Sequence, residues 1–121
     1  RHRIVRVNLV GGAAAEATWE VVVGTGEPGR LMSGVPALSA PLNNPLKLAV
    51  TAAGDVVFLD SGNRSLRMLE QATGLVQTLS DAIDAPDGLA VSPGGRVFVS
   101  EGRSHQVLQF WPEAAGMEWS W

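Results

Sequence analysis

Short apolar runs of about five residues, separated by turn-forming residues, dominate the pattern of this chain. Four such runs follow one another at 46–50, 55–59, 65–69 and 75–79. Glycine, aspartate, asparagine and serine, the residue types that favour tight turns, separate them. No run is long enough for a typical helix, and a period of 3.6 residues is nowhere sustained. The pattern therefore predicts an all-β fold of short antiparallel strands.

The same pattern returns after 41 residues. When Pro45 is placed over Pro86 (86 − 45 = 41), the segments 45–69 and 86–110 align without a gap. The matched positions include glycine, acidic and apolar residues, namely Gly54 with Gly95, Asp60 with Glu101, and Leu66 with Val107. Four strands in roughly 40 residues, repeated, are typical of a β-propeller blade.

Partial copies of the repeat lie on either side of the complete one. Segment 3–7 resembles 65–69 at an offset of 62 residues (66 − 4 = 62), and a long connection at 24–44 accounts for the difference. Segment 117–121 resembles 75–79. We therefore interpret 1–121 as a single propeller segment: 1–44 is the end of one repeat plus the connection, 45–85 a complete repeat, and 86–121 most of a further repeat.

The predicted propeller is incomplete. Propellers contain about four to eight blades, so two to three repeats of this length cannot close a ring. An open segment has unpaired strand edges, which invite pairing with other strands. We expect missing blades or self-association to cover these edges.

Three features resemble the NHL-repeat family of β-propellers over about residues 2 to 110. They are the proline-led strands PLKLAV (45–50) and PDGLAV (86–91), the segment GDVVFLDSGNR (54–64), and a linker with VGTG (23–26) and PALSAPLNNP (36–45). The resemblance implies a binding module or scaffold that presents loops on one propeller face to a protein partner. The last repeat departs from the family pattern, with EGRSH (101–105) where DSGNR (60–64) stands before.

Polar loops at one end of the sheets are the candidate binding surface. Alternate connections of antiparallel strands lie at the same end, which groups 24–44, 60–64, 80–87 and 101–105. Loops on a rigid scaffold commonly carry binding residues. The candidates are Asp60, Asn63, Arg64, Asp87, Glu101, Arg103 and His105. Because Asp60 and Glu101 recur at the repeat period, acceptance of turn amide hydrogen bonds is favoured over catalysis for both.

An enzyme is the alternative. Pro86-Asp87-Gly88-Leu89 also resembles a segment of the gluconolactonase-like propeller hydrolases, which implies a fragment of that group or of the amidating-lyase-like metal-dependent group. There Asp87 would help to hold Ca²⁺, an ion that takes six to eight oxygen ligands. The equivalent position one repeat earlier is Leu46, and no catalytic constellation is recognisable in the sequence. A binding module without a cofactor is therefore the primary prediction, and Ca²⁺ belongs to the alternative.

Composition narrows the classes of partner. The hydrophobic fraction of 45% and charged fraction of 17% are typical of a folded domain. A formal net charge of −3 argues against nucleic acid, whose binders usually carry a basic excess. No apolar run approaches the roughly 20 residues of a membrane span. The absence of cysteine excludes disulfides and leaves the compartment open.

Overall fold

The computed structural model describes residues 1–8, 18–30, 33–111 and 118–120, and within these ranges the chain is all-β without an α-helix. No helix in this part of the chain is long and apolar enough to cross a membrane. The described residues form eleven strands: β1 (Ile4–Asn8), β2 (Thr18–Val23), β3 (Val35–Pro36), β4 (Pro45–Val50), β5 (Val56–Asp60), β6 (Ser65–Leu69), β7 (Leu75–Ser80), β8 (Pro86–Val91), β9 (Val97–Glu101), β10 (Gln106–Trp111) and β11 (Glu118–Ser120).

The strands form three antiparallel sheets, and none of them closes on itself. Strands β1 and β2 form a two-stranded sheet, and the larger sheets have the orders β3-β7-β6-β5-β4 and β11-β10-β9-β8. From β4 to β7 and from β8 to β11, every strand pairs with its neighbours in the sequence. The all-β, antiparallel prediction is therefore confirmed. Met117 and Trp121, which entered the comparison with 75–79, lie outside the described residues.

Backbone geometry repeats at the same 41-residue interval as the sequence. Arg64 and His105 are left-handed, with φ of 52° and 56°, and so are Asn44 and Ala85, with φ of 54° and 49°. The turn after each proline-led strand also repeats. The amide of Thr51 donates to the carbonyl of residue 55, and that of Ser92 donates to the carbonyl of residue 96, both at 2.9 Å. The two segments therefore share one local structure.

Apolar side chains fill the space between the sheets in two clusters. One lies between the sheet of β3–β7 and that of β8–β11, with the buried residues Val57, Leu59, Leu66, Met68, Leu79, Ile83, Val97, Val99, Leu108 and Phe110. The other lies between β1–β2 and β3–β7, with Ile4, Val23, Ala40, Leu42, Phe58 and Val76. Each fully buried aliphatic or aromatic side chain of this size contributes roughly 1.5–3 kcal/mol, so these clusters hold the sheets together.

The long connection at 24–44, predicted as a loop, contributes to the folded core where it is described. Its residues Val35 and Pro36 form β3, which pairs with β7 and makes that sheet five-stranded rather than four-stranded. Leu42 is fully buried. The amide of Gly24 donates to the carbonyl of Ala37 at 3.0 Å, which fastens the start of the connection. This segment therefore packs as part of the sheet-to-sheet interface.

Candidate functional site

Three of the four predicted loops gather at one end of the two larger sheets, together with the last residues of the connection at 24–44. The rest of that connection is only partly at this end, because the amide of Ala37 donates to the carbonyl of Gly74, in the β6–β7 turn at the other end, at 3.0 Å. We use the term loop end for residues 43–44, 60–64, 81–87 and 101–105. Backbone hydrogen bonds join its parts, because the amide of Ile83 donates to the carbonyl of Arg64 at 3.0 Å and that of Gly62 donates to the carbonyl of Asn43 at 2.7 Å. The loop end is thus a connected surface that spans both sheets.

A buried carboxylate anchors the first half of the loop end. Asp60 is fully buried at the end of β5 and accepts hydrogen bonds from the amide of Asn43 at 2.7 Å and from Nδ2 of Asn63 at 2.8 Å. Nδ2 of Asn63 also donates to the carbonyl of Gly29 at 3.0 Å. These contacts fasten two segments of the long connection to the β5–β6 turn. Asp60 and Asn63 therefore shape the loop end from beneath.

Glu101 occupies the equivalent place in the second half. It is buried at the end of β9 and accepts a hydrogen bond from the amide of Asp84 at 3.0 Å. Its other oxygen accepts the hydroxyl of Ser104 at 2.5 Å, as Asp60 accepts the side chain of Asn63 three residues on. In both repeats the backbone donor lies in the segment before the proline-led strand rather than in the turn that follows the acid. Each acid thus joins that segment to the sheet.

Arg67 completes the first anchor and was not among the sequence-based candidates. Its side chain is fully buried in β6, and Nη1 lies 3.1 Å from Oδ2 of Asp60 and 2.9 Å from the carbonyl oxygen of Pro41. Burial lowers the pKa of Arg67, and the charge of Asp60 partly opposes that effect. The equivalent residue one repeat later is Leu108. A lone cation between the apolar neighbours Leu66 and Met68 is the sequence feature that marks it.

Exposed charges converge above these anchors. Oδ1 of Asp84 lies 3.4 Å from Nη2 of Arg64 and 3.8 Å from Nη1 of Arg103. The two arginine side chains are 62% and 76% exposed. Ion pairs of this length and exposure contribute at most about 1 kcal/mol each. Both guanidinium groups are therefore accessible to another molecule, and Asp84, which sequence reasoning had passed over, lies between them.

The remaining candidates are Asp87 and His105. Asp87 is exposed at the start of β8, and His105 is exposed in a left-handed turn residue before β10. Within the described ranges, no group of three or more histidine, cysteine, aspartate or glutamate side chains is arranged to hold a metal ion. Within these ranges Asp87 therefore belongs to no such group, whereas Ca²⁺ takes six to eight oxygen ligands.

A groove with polar and apolar lining residues opens beside the charged cluster. It has a volume of about 880 Å³ and lies between strand β7 and strand β10. Its polar lining includes Thr78, Ser80, Asp84, Glu101, Ser104 and Gln106. The apolar side chains of Leu79 and Leu108 also line it. The groove therefore adjoins the charged cluster through Asp84.

No model of a known protein family matches this sequence, and no curated protein is found to match it. The function proposed below therefore rests on the geometry of the loop end.

Proposed function

We propose that the two larger sheets are consecutive blades of an NHL-type β-propeller and that the loop end is a protein-binding surface. The 41-residue sequence repeat, the strand order that follows the chain, and the apolar cluster between the sheets support this proposal. In a propeller, blades pack face to face and expose their connecting loops at the two ends. One of these ends carries the charged cluster.

The observation that carries the proposal is the pair of exposed guanidinium groups on either side of Asp84. Arginine is enriched at the energetic centres of protein interfaces, and its planar fork suits carboxylates. The backbone amide of Asp84 donates a hydrogen bond to the buried carboxylate of Glu101, and this bond fixes the position of the cluster. We expect a protein partner that presents carboxylate side chains to Arg64 and Arg103.

The enzyme alternative has no observation of comparable weight. It depends on Asp87, which is exposed and belongs to no group of metal-binding side chains in the described part of the chain. Nucleic acid is disfavoured by the net charge of −3. A protein partner remains the function that the loop end supports best.

The test is a selection of peptides from a displayed random library on the full chain, followed by measurement of Kd by fluorescence anisotropy. We expect the selected peptides to be acidic. Arg64→Ser and Arg103→Ser should each weaken binding by about tenfold or more, as residues at an interface hot spot do. Arg96→Ser is the matched control, because Arg96 directly follows the β8–β9 turn, at the opposite end of the sheets, with its guanidinium over Trp111.

Two results would overturn the proposal. One is a set of peptides whose Kd is the same for the wild type and for the Arg64→Ser/Arg103→Ser double variant. The other is an equal loss of affinity in Arg96→Ser, which would place binding elsewhere or make it a non-specific effect of charge. A fall in affinity with added salt for the wild type alone would support the proposed contacts, because exposed charges are screened within about 10 Å at 0.1 M salt.

A further inference from the structure

One edge of strand β1 has no neighbour among the described residues. Strand β1 pairs with β2 on one side only, and together they form the two-stranded sheet. In sequence β1 is equivalent to β6, because Ile4 aligns with Leu66. Strand β6 is paired on both sides, with β7 and with β5. The free edge of β1 is thus the edge at which its equivalent carries β5.

The side chains that such a strand would cover are exposed. Leu48 and Val50 on β4 are 51% and 60% exposed. Their equivalents on β8, Leu89 and Val91, are the same residue types, are partly buried, and pack against the cluster to which Val57 and Leu59 of β5 belong. The same pair of side chains is therefore covered in one repeat by a strand that the other repeat lacks.

An apolar groove marks the place. It has a volume of about 470 Å³ and runs between the β1–β2 sheet and the sheet of β3–β7. The apolar lining that matters here consists of Ile4, Val5, Leu48, Val50, Val56 and Leu69. A second, smaller groove of about 220 Å³ continues from Ile4 and Val5 to Leu46, Leu48 and Phe58. Together they follow the uncovered edge of β1 along strand β4.

We propose that the free edge of β1 binds an antiparallel β-hairpin with the chemistry of this chain's own β4–β5 hairpin. Added strands bind exposed sheet edges through main-chain hydrogen bonds, and alternate side chains give specificity. Side chains at the positions of Val57 and Leu59 cover Leu48 and Val50, as they cover Leu89 and Val91 between the larger sheets. Specificity therefore lies in apolar residues at alternate positions of the added strand.

Charge sets the direction of the added hairpin. In the paired repeat, Asp60 at the end of β5 lies opposite Ser65 of β6. The equivalent of Ser65 is Arg3, which directly precedes β1 and is exposed. An acidic residue at the end of the added strand therefore lies opposite a cation. This occupant is distinct from the partner of the loop end and binds a different part of the molecule.

The first experiment uses a synthetic peptide of residues 45–62, added in trans to the full chain. Amide hydrogen exchange, followed by NMR, measures the protection of the β1 amides that face away from β2. The chemical shifts of the methyl groups of Leu48 and Val50 report whether the peptide covers these side chains. We expect exchange at these amides to slow about tenfold or more when the peptide is present, because each gains a hydrogen-bond partner. The same peptide with Val57→Asp and Leu59→Asp, which keeps the backbone and loses the apolar positions, should leave exchange unchanged.

Substitutions in the chain supply a second control. Leu48→Ser with Val50→Ser should leave the fold intact, because both side chains are exposed, and should abolish the effect of the peptide. Val107→Ser on β10 is the matched control, since Val107 is also a largely exposed aliphatic strand residue but lies outside the groove. It should leave the effect of the peptide unchanged.

An isolated two-stranded hairpin is only marginally stable in water, so a second experiment joins the hairpin covalently to the chain. At the offset of 62 residues Arg1 aligns with Asn63, so residues 45–62 joined in front of Arg1 reproduce the spacing of the repeat. The proposal is overturned if neither the free nor the tethered hairpin slows exchange in β1. It is also overturned if the β1 edge is already protected in the chain alone, in proportion to protein concentration, because a second copy would then be the occupant.

Discussion

Replacing Asp60 with asparagine removes one charge from a buried ion pair and changes the side-chain volume very little. The carboxylate faces three donors, the amide of Asn43, Nδ2 of Asn63 and Nη1 of Arg67. The amide group of asparagine keeps one acceptor oxygen and turns its own NH₂ toward a donor. Arg67, which is fully buried, then keeps its positive charge but loses the negative charge of Asp60, which lies 3.1 Å from Nη1.

The expected cost follows from burial. Removal of one partner from a buried ion pair typically destabilises a protein by about 3–5 kcal/mol, because the other charge is left uncompensated. Arg67→Met should cost less, about 1–3 kcal/mol, because Asp60 keeps its two other hydrogen bonds while the carbonyl of Pro41 loses its donor. Glu101 is already a buried carboxylate of this kind: it accepts two hydrogen bonds, and Leu108 stands at the position equivalent to Arg67. The Asp60→Asn/Arg67→Met double variant should recover at least about 2 kcal/mol relative to the sum of the single changes.

The assay is equilibrium urea unfolding followed by far-ultraviolet circular dichroism, with a stabilising osmolyte present so that the weakest variant is still folded at the start. Glu101→Gln is the matched control in the next repeat and should cost about 1.5 kcal/mol, because it weakens hydrogen bonds without stranding a cation. The reasoning is refuted if Asp60→Asn and Glu101→Gln cost the same, or if the two single changes at Asp60 and Arg67 add within about 0.5 kcal/mol.

Three further predictions concern the connection, a glycine and a surface pair. Leu42→Ala should cost about 2–5 kcal/mol in urea unfolding and exposed Leu38→Ala less than about 0.5 kcal/mol, because only Leu42 is buried; equal costs would mean that the connection does not pack. Gly24→Ala should lower the urea midpoint more than Gly74→Ala. Both have positive φ, but a Cβ at Gly24 would lie 2.6 Å from the carbonyl oxygen of His2, whereas Gly74 faces open space; a larger loss for Gly74→Ala would contradict this. The hydrogen bond from Arg6 lowers the pKa of Glu20, so the pair stabilises the fold above the ordinary glutamate pKa and that contribution is lost as the pH falls through the lowered value. An NMR titration of Glu20 should show that its pKa is lowered less in 1 M salt than in low salt. A pKa that does not change with salt would contradict this prediction.

The strands and hairpin turns could be predicted because their determinants are local. Alternating apolar residues and turn glycines such as Gly54 and Gly95, both with positive φ, identify where strands end. The left-handed residues Arg64 and Ala85 carry no such local mark, since neither residue type favours that conformation. Only their equivalence to other positions in the repeat identifies them, and only after the structure is seen.

The buried part of the loop end could not be predicted because it depends on segments that are distant in sequence. The period of β6 places Arg67 on one face of a strand, but its burial requires Pro41 from the connection. Asp60 was recognised as a turn acceptor, yet its backbone donor, Asn43, lies 17 residues before it. The exposed face was only partly foreseen: Arg64 and Arg103 were candidates, whereas Asp84, which joins them, was not.

The central claim is that the 41-residue sequence repeat is also a repeat of structure, with one acidic residue in each copy holding the segment that precedes the proline-led strand of that copy. Residue-resolved amide hydrogen exchange tests it most directly at Asn43 and Asp84. These amides lie outside the strands and donate to the buried carboxylates of Asp60 and Glu101. The account predicts that both exchange slowly, at rates comparable to those of neighbouring strand amides. Exchange of both at the rates of unprotected loop amides would contradict it.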